Sequence, residues 1–263
     1  MTSTESGLSV PDWPLSYGGW FPPMIGGIRF EHTHRMIAGL VGILTLVLAA
    51  LLWRGEGRRA VRILGVVALA AVLAQAILGG LTVIYMLPTP VSVAHACLAQ
   101  TFFCLVAVLA LVTSRRWIEG GPVRCPQARP IRTVLVSAAA AAYFQLILGA
   151  VVRHTAGGGV GFHVIWAFVV ALLGLFSASA VQGAVPSFGL LVVFSRFFAG
   201  AVLAQIFLGI GAYVTTLAIE RTAPPGLLEV FFATAHQAFG ALVLGSGALM
   251  AVTAFGRLKE NPA

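Results

Sequence analysis

The stretch "GIRFEHTHRMIAGLVGILTLVLAALLWRGEGRR" (residues 27–59) decides the fold. Glu31, His32, His34 and Arg35 stand at the lip of an apolar run that continues to Trp53 and closes on the turn "GEGRR". An apolar run of about 20 residues crosses the hydrocarbon of a bilayer as a helix. Ionisable groups are costly there, so four of them at the entry to a span need a reason.

The whole chain follows this pattern. Of its 263 residues 59% are hydrophobic and 9% charged, with a mean hydropathy of +0.97. A soluble domain carries about 25% charged residues. The apolar runs are long and continuous, whereas barrel strands alternate, so the fold class is an all-α integral membrane protein. Seven spans are predicted, at about 31–53, 63–85, 91–112, 132–152, 162–182, 189–217 and 229–255. Breaker signals separate them, among them "LPTP", "TAGGG", "GAVPS" and "TAPPG".

The net charge of +8 does not point to nucleic acid. Fifteen of the sixteen basic residues are Arg, and most fall in short loops. Loop 54–62, loop 113–132 and the tail after 255 hold these clusters and share one side by helix parity. The positive-inside rule makes that side, with the C-terminus, cytoplasmic in the inner (plasma) membrane. Cys97 and Cys104 lie in an apolar run and Cys125 in a basic loop, and the chain has no CxxC or CxxCH. Neither a thiol-redox motif nor covalent c-type haem attachment is thereby supported.

An internal repeat is visible. "VLAQAILGGLTV" (72–83) returns as "VLAQIFLGIGAYV" (202–214), and "SVAHACLAQTFF" (92–103) as "ATAHQAFGALVL" (233–244). This predicts two bundles: residues 31–112 with three helices and 132–255 with four. A basic linker at 113–131 joins them, residues 1–30 lie on the outer face and 256–263 form a cytoplasmic tail. "FQLILGAVVRHTAGGG" (144–159) precedes the second bundle and has no counterpart before Glu31. The repeat therefore calls for a further helix, either lost from this chain or encoded upstream of residue 1 in a longer reading frame, the second being the expectation.

Four of the six histidines, His34, His95, His163 and His236, fall in the first turns of spans one, three, five and seven. Those spans run in one direction, so the four imidazoles share a depth near the outer face, two in each bundle. Paired neutral imidazoles on facing helices supply both axial ligands of a haem iron. Zinc or copper wants three or four converging ligands, so pairs favour haem. Gly79, Gly80, Gly209 and Gly211 are expected either to let a porphyrin approach the helix backbone or to serve ordinary helix packing. Glu31 shares a helical face with His34 and is the candidate catalytic carboxylate. Arg35 and Arg153, at the outer edge, are candidate propionate partners. His32 points to a different face and is not expected to be a ligand.

"ESGLSVPDWPLSYGGWFPPM", "FEHTHRMIAGLVGIL", "QAILGGLTVIYMLPTPVSVAHACLAQ" and "HQAFGALVL" resemble the haem A synthase family over nearly the whole chain. The resemblance implies eight helices in two four-helix bundles. It implies haem O as substrate in the N-terminal half, with Glu31, His34 and His95, and haem b as cofactor in the C-terminal half, with His163 and His236. The implied reaction oxidises the C8 methyl of haem O to a formyl through successive hydroxylations, with oxygen from water. It implies a haem O synthase and the terminal oxidase assembly machinery as partners, in a setting of membrane lipid. Val10 and Ser16 stand where many members carry a cysteine pair, so the disulfide of that pattern cannot form here. Two other functions share the His pairs: a bis-histidine dihaem quinol cytochrome and a non-enzymatic haem carrier.

Overall fold

The structure, a computed structural model, describes residues 6–217 and 225–260. All seven expected spans are helices long and apolar enough to cross a membrane. They are α1 (Ile28–Gly55), α2 (Arg59–Ile84), α3 (Thr89–Thr113), α5 (Ala128–His154), α6 (Val160–Ala184), α7 (Gly189–Thr216) and α8 (Leu227–Arg257). The chain is a multi-pass membrane protein. Six of these seven helices outlast their apolar runs by a few residues, because backbone bonding continues into the polar interface where side-chain hydropathy has already changed; α7 ends one residue inside its run.

Two features escaped the sequence. A short helix α4 (Arg115–Glu119) follows α3, its N-terminus capped by the Ser114 hydroxyl accepting from the Trp117 N–H at 3.2 Å. Strand β1 (Val123–Arg124) pairs in parallel with β2 (Leu258–Lys259) at the end of α8. Arginines of the basic segments make that join. Arg257 donates to the main-chain oxygens of Trp117 and Gly120, with its guanidinium 4.3 Å from the Trp117 ring. Arg132 donates to those of Ala254 and Leu258. The Arg132 bonds satisfy carbonyls at the end of α8, and those of Arg257 carbonyls at the end of α4, where helix termini leave oxygens without a partner within the helix. Arg132 and Arg257 are therefore structural as well as topological.

The chain divides into two compact units: residues 1–105 with 220–231, and residues 106–219 with 232–263. In the first, α1 packs on α2, where Gly65 admits the Leu52 side chain. In the second, α6 packs on both α5 and α7. Its core is centred on Phe198 of α7, fully buried, whose ring lies against Gly174 of α6 and Gly247 of α8. A Cβ at either glycine would stand 3.2–3.3 Å from that ring. Small residues allow such close approach where water supplies no driving force between helices. Phe198→Ala is expected to destabilise this unit by about 3–5 kcal/mol, read from thermal unfolding in detergent. Outward rows such as Leu40, Ile43, Leu44 and Leu51 of α1 are exposed and suit a lipid solvent.

Candidate functional site

The ionisable residues that open α1 are mostly committed to the loop before it. The Glu31 side chain is 1% exposed. Its Oε1 pairs with Arg35 Nη2 at 2.6 Å, and its Oε2 accepts from the Val10 N–H at 2.9 Å. Arg35 also donates to the main-chain oxygens of Asp12, Leu15 and Val10 at 2.7, 2.6 and 3.3 Å, so both its terminal nitrogens are engaged. His32 is buried with its Nδ1 2.9 Å from the Ser16 hydroxyl. Residues 10–16 thus fold over the start of α1 and are held by three of its side chains. The Asp12 carboxylate closes the turn by accepting from the N–H groups of Tyr17 and Gly18 at 2.7 and 2.8 Å. The Gly18 bond, aided by that from Tyr17, holds the Asp12 carboxyl below its ordinary value. Only His34 is left over, and it is exposed, one turn from Glu31.

His95 is half-buried near the start of α3 in the same unit as His34. Its Cε1 sits where a Cβ on Gly79 of α2 would come within 3.2 Å. In the second unit the structure brings His163 of α6 and His236 of α8 together. Their ring centroids are 6.2 Å apart and their planes are inclined at 79°. Gly149 of α5 makes room for the His163 ring and Gly209 of α7 for that of His236, with 3.0 and 2.9 Å left for a Cβ.

These glycines correct one expectation. The space before Gly79 and Gly209 is filled by imidazoles, that before Gly80 by the Trp13 indole, and that before Gly211 by the Phe232 ring. The backbone is bared for side chains that protein supplies, and spacing alone does not distinguish a ring of the chain from a ring of a ligand.

Three glutamines join these histidines, and nothing in composition or charge marks them. Gln75, Gln145 and Gln205 each stand four residues before a histidine-facing glycine. Their Nε2 atoms donate to the main-chain oxygens of His95, His163 and His236 at 3.0, 3.0 and 2.7 Å. The recurring Gln-x-x-x-Gly was the available signal, because i and i+4 share a helical face. On α5 the same face continues to the half-buried Arg153, four residues beyond Gly149 and so on the edge of α5 that faces His163 of α6.

The second-unit pair fits a haem iron. A metal–imidazole bond of about 2.0–2.1 Å plus a ring radius of about 1.1 Å places two axial rings about 6.2–6.4 Å apart. The observed separation of 6.2 Å falls there. The Gln205 main-chain oxygen lies 3.2 Å from His236 Nδ1 and can only accept, so that nitrogen carries the proton and Nε2 keeps the lone pair. Among the described residues no three His, Cys, Asp or Glu side chains converge as a bare metal ion would require.

Residues 28–161, just over half the chain, match the family described as cytochrome oxidase assembly protein (COX15-CtaA). The chain is 35% identical over 115 residues to the heme A synthase of Bacillus pumilus, covering 43% of this chain and 38% of that protein. It is 29% identical over 160 residues to the heme A synthase of Lysinibacillus sphaericus, covering 59% and 52%. For that of Geobacillus thermodenitrificans the figures are 27% over 158 residues, 59% and 50%. The chain thus spans about half the length, or less, of these relatives. No solved structure matches it. With a family match that takes in Glu31, His34 and His95, and a paired-histidine fold around it, this chain belongs to the COX15-CtaA family of cytochrome oxidase assembly proteins.

Proposed function

We propose that this protein is a haem A synthase, oxidising the C8 methyl of haem O to a formyl group for cytochrome oxidase assembly. The observation that carries the reading is the His163–His236 pair, spaced for one iron, within a family whose named relatives are heme A synthases. Converting a methyl to a formyl with oxygen from water releases four electrons and four protons, so an external electron acceptor must take the electrons. A haem b bound in the second unit would supply one-electron chemistry to that oxidation. His163 and His236 would hold that group, and the Arg153 guanidinium, on the same face of α5 as Gly149, would be the partner for its propionates. In the first unit His34 and His95 would hold the substrate haem O. Glu31, pinned one turn before His34, places a carboxylate where protons leave and positive charge develops. Arg35 keeps that carboxylate in place while anchoring residues 10–15. The site faces the outer side of the plasma membrane, with the arginine-rich loops and the C-terminus in the cytoplasm. Its partners are the haem O synthase that supplies the substrate and the oxidase assembly machinery that receives the product.

Complementation tests the assignment. In a bacterium that makes haem O but lacks its own haem A synthase, expression of this chain is expected to restore the haem A band in reduced-minus-oxidised membrane spectra. Membranes that gain only b-type absorption would contradict the assignment and favour an electron-transfer cytochrome.

A further inference from the structure

The three glutamines do more than join helices. Polar side chains commonly glue membrane helices, and a buried carboxamide has many backbone oxygens in reach. In all three copies, however, the amide selects the carbonyl of the histidine itself. In two of them the same Nε2 also lies beside the imidazole, 3.5 Å from His95 Nε2 and 3.4 Å from His163 Nε2. Four residues along the same helix face, a glycine receives the ring edge. One helix thus pins its neighbour's histidine at two points, the main chain by the amide and the ring by the missing Cβ.

The amide orientation is settled, because a carbonyl accepts and the NH2 end must therefore face it. The other end shows what that costs. Oε1 of Gln75, of Gln145 and of Gln205 is buried with no hydrogen-bond partner among the described residues. A buried acceptor without a partner is costly. The same cost in three copies marks a constraint on the histidine that outweighs full satisfaction of the glutamine. For His236 the clamp is reciprocal: Gln205 donates to its carbonyl at 2.7 Å and accepts from its Nδ1 through the Gln205 main-chain oxygen at 3.2 Å.

We propose that Gln145 and Gln205 are positioning residues that set the imidazole planes of His163 and His236 near perpendicular, and with them the electronic structure of the haem these histidines bind. This rests on the bis-histidine haem reading above. Ring orientation is a lever on an axially ligated iron, acting through the ligand field without changing the ligands. Gln75 holds the His95 main chain by the corresponding bond in the first unit.

The test uses the full chain purified with its haem, comparing wild type with Gln145→Met, Gln205→Met and Gln182→Met. Methionine keeps length and loses the donor. Gln182 bonds Arg196 and the Ala178 oxygen, away from both histidines, and so controls for losing any amide. Oxidised wild type is expected to give the large-gmax, highly anisotropic low-spin EPR signal of perpendicular axial imidazoles. In Gln145→Met that signal is expected to move toward the smaller-gmax rhombic form or to split; in Gln205→Met, where the main-chain oxygen still accepts from His236 Nδ1, it is expected to move in the same direction by less. Gln182→Met should leave it in place. A wild-type signal that stays fixed in both clamp variants, or moves equally in Gln182→Met, would overturn the clamp and leave the haem assignment standing. Absence of any low-spin haem signal in wild type would overturn the haem assignment itself and the clamp with it.

Discussion

His236→Ala is expected to lower haem retention in the second unit by at least about tenfold and to abolish the six-coordinate low-spin spectrum of that site. The reason is the closeness of the pair. With centroids 6.2 Å apart, one iron could serve both rings, and removing His236 or His163 would take away one ligand and leave an unfilled slot beside Gly209 or Gly149 respectively. His163→Ala should behave alike, because Gly149 and Gln145 hold His163 in the corresponding way. The haem-to-protein ratio, from pyridine haemochrome spectra against protein concentration, checks both. Retention of full low-spin haem in either variant would show that the pair does not ligate iron.

The second large effect separates two roles of Glu31. Arg35→Met leaves the Glu31 carboxylate buried without its counter-ion, and such a loss costs about 3–5 kcal/mol. It also frees the oxygens of Val10, Asp12 and Leu15, so residues 6–27 should become sensitive to limited proteolysis. Glu31→Gln keeps an oxygen for the Val10 N–H and removes only the charge. It is expected to leave the loop protected while reducing product formation by at least about a hundredfold. Equal proteolysis of both variants would make Glu31 an anchor alone; full activity in Glu31→Gln would remove its chemical role.

What was legible in the sequence was what depends on hydropathy and period. Seven spans follow from apolar length, and the closeness of His163 and His236 agrees with repeat symmetry and helix direction. Two residues turn a helix by about 200°, which takes His32 off the His34 face; its Nδ1 lies 2.9 Å from the Ser16 hydroxyl in the loop. The rest depends on partners distant in the chain. Two-residue strands carry no alternation, so the pairing of Val123 with Leu258 left no trace. Arg257 reads as a topology signal, yet it bonds oxygens 137 and 140 residues away. "EHTHR" reads as a pocket lip, whereas Glu31, His32 and Arg35 all hold residues 10–16. Glycines announce a close approach without naming what approaches. The glutamines were hidden by their chemistry, since an uncharged amide in an apolar helix raises no alarm until its partner is seen.

The most direct test is chromatography of haems extracted from the purified full chain after incubation with haem O and an electron acceptor. Conversion of haem O to its hydroxymethyl and formyl derivatives by wild type, and not by Glu31→Gln, is the expected result. Recovery of haem O unchanged, from a protein whose second unit carries its full complement of haem b, would contradict the assignment.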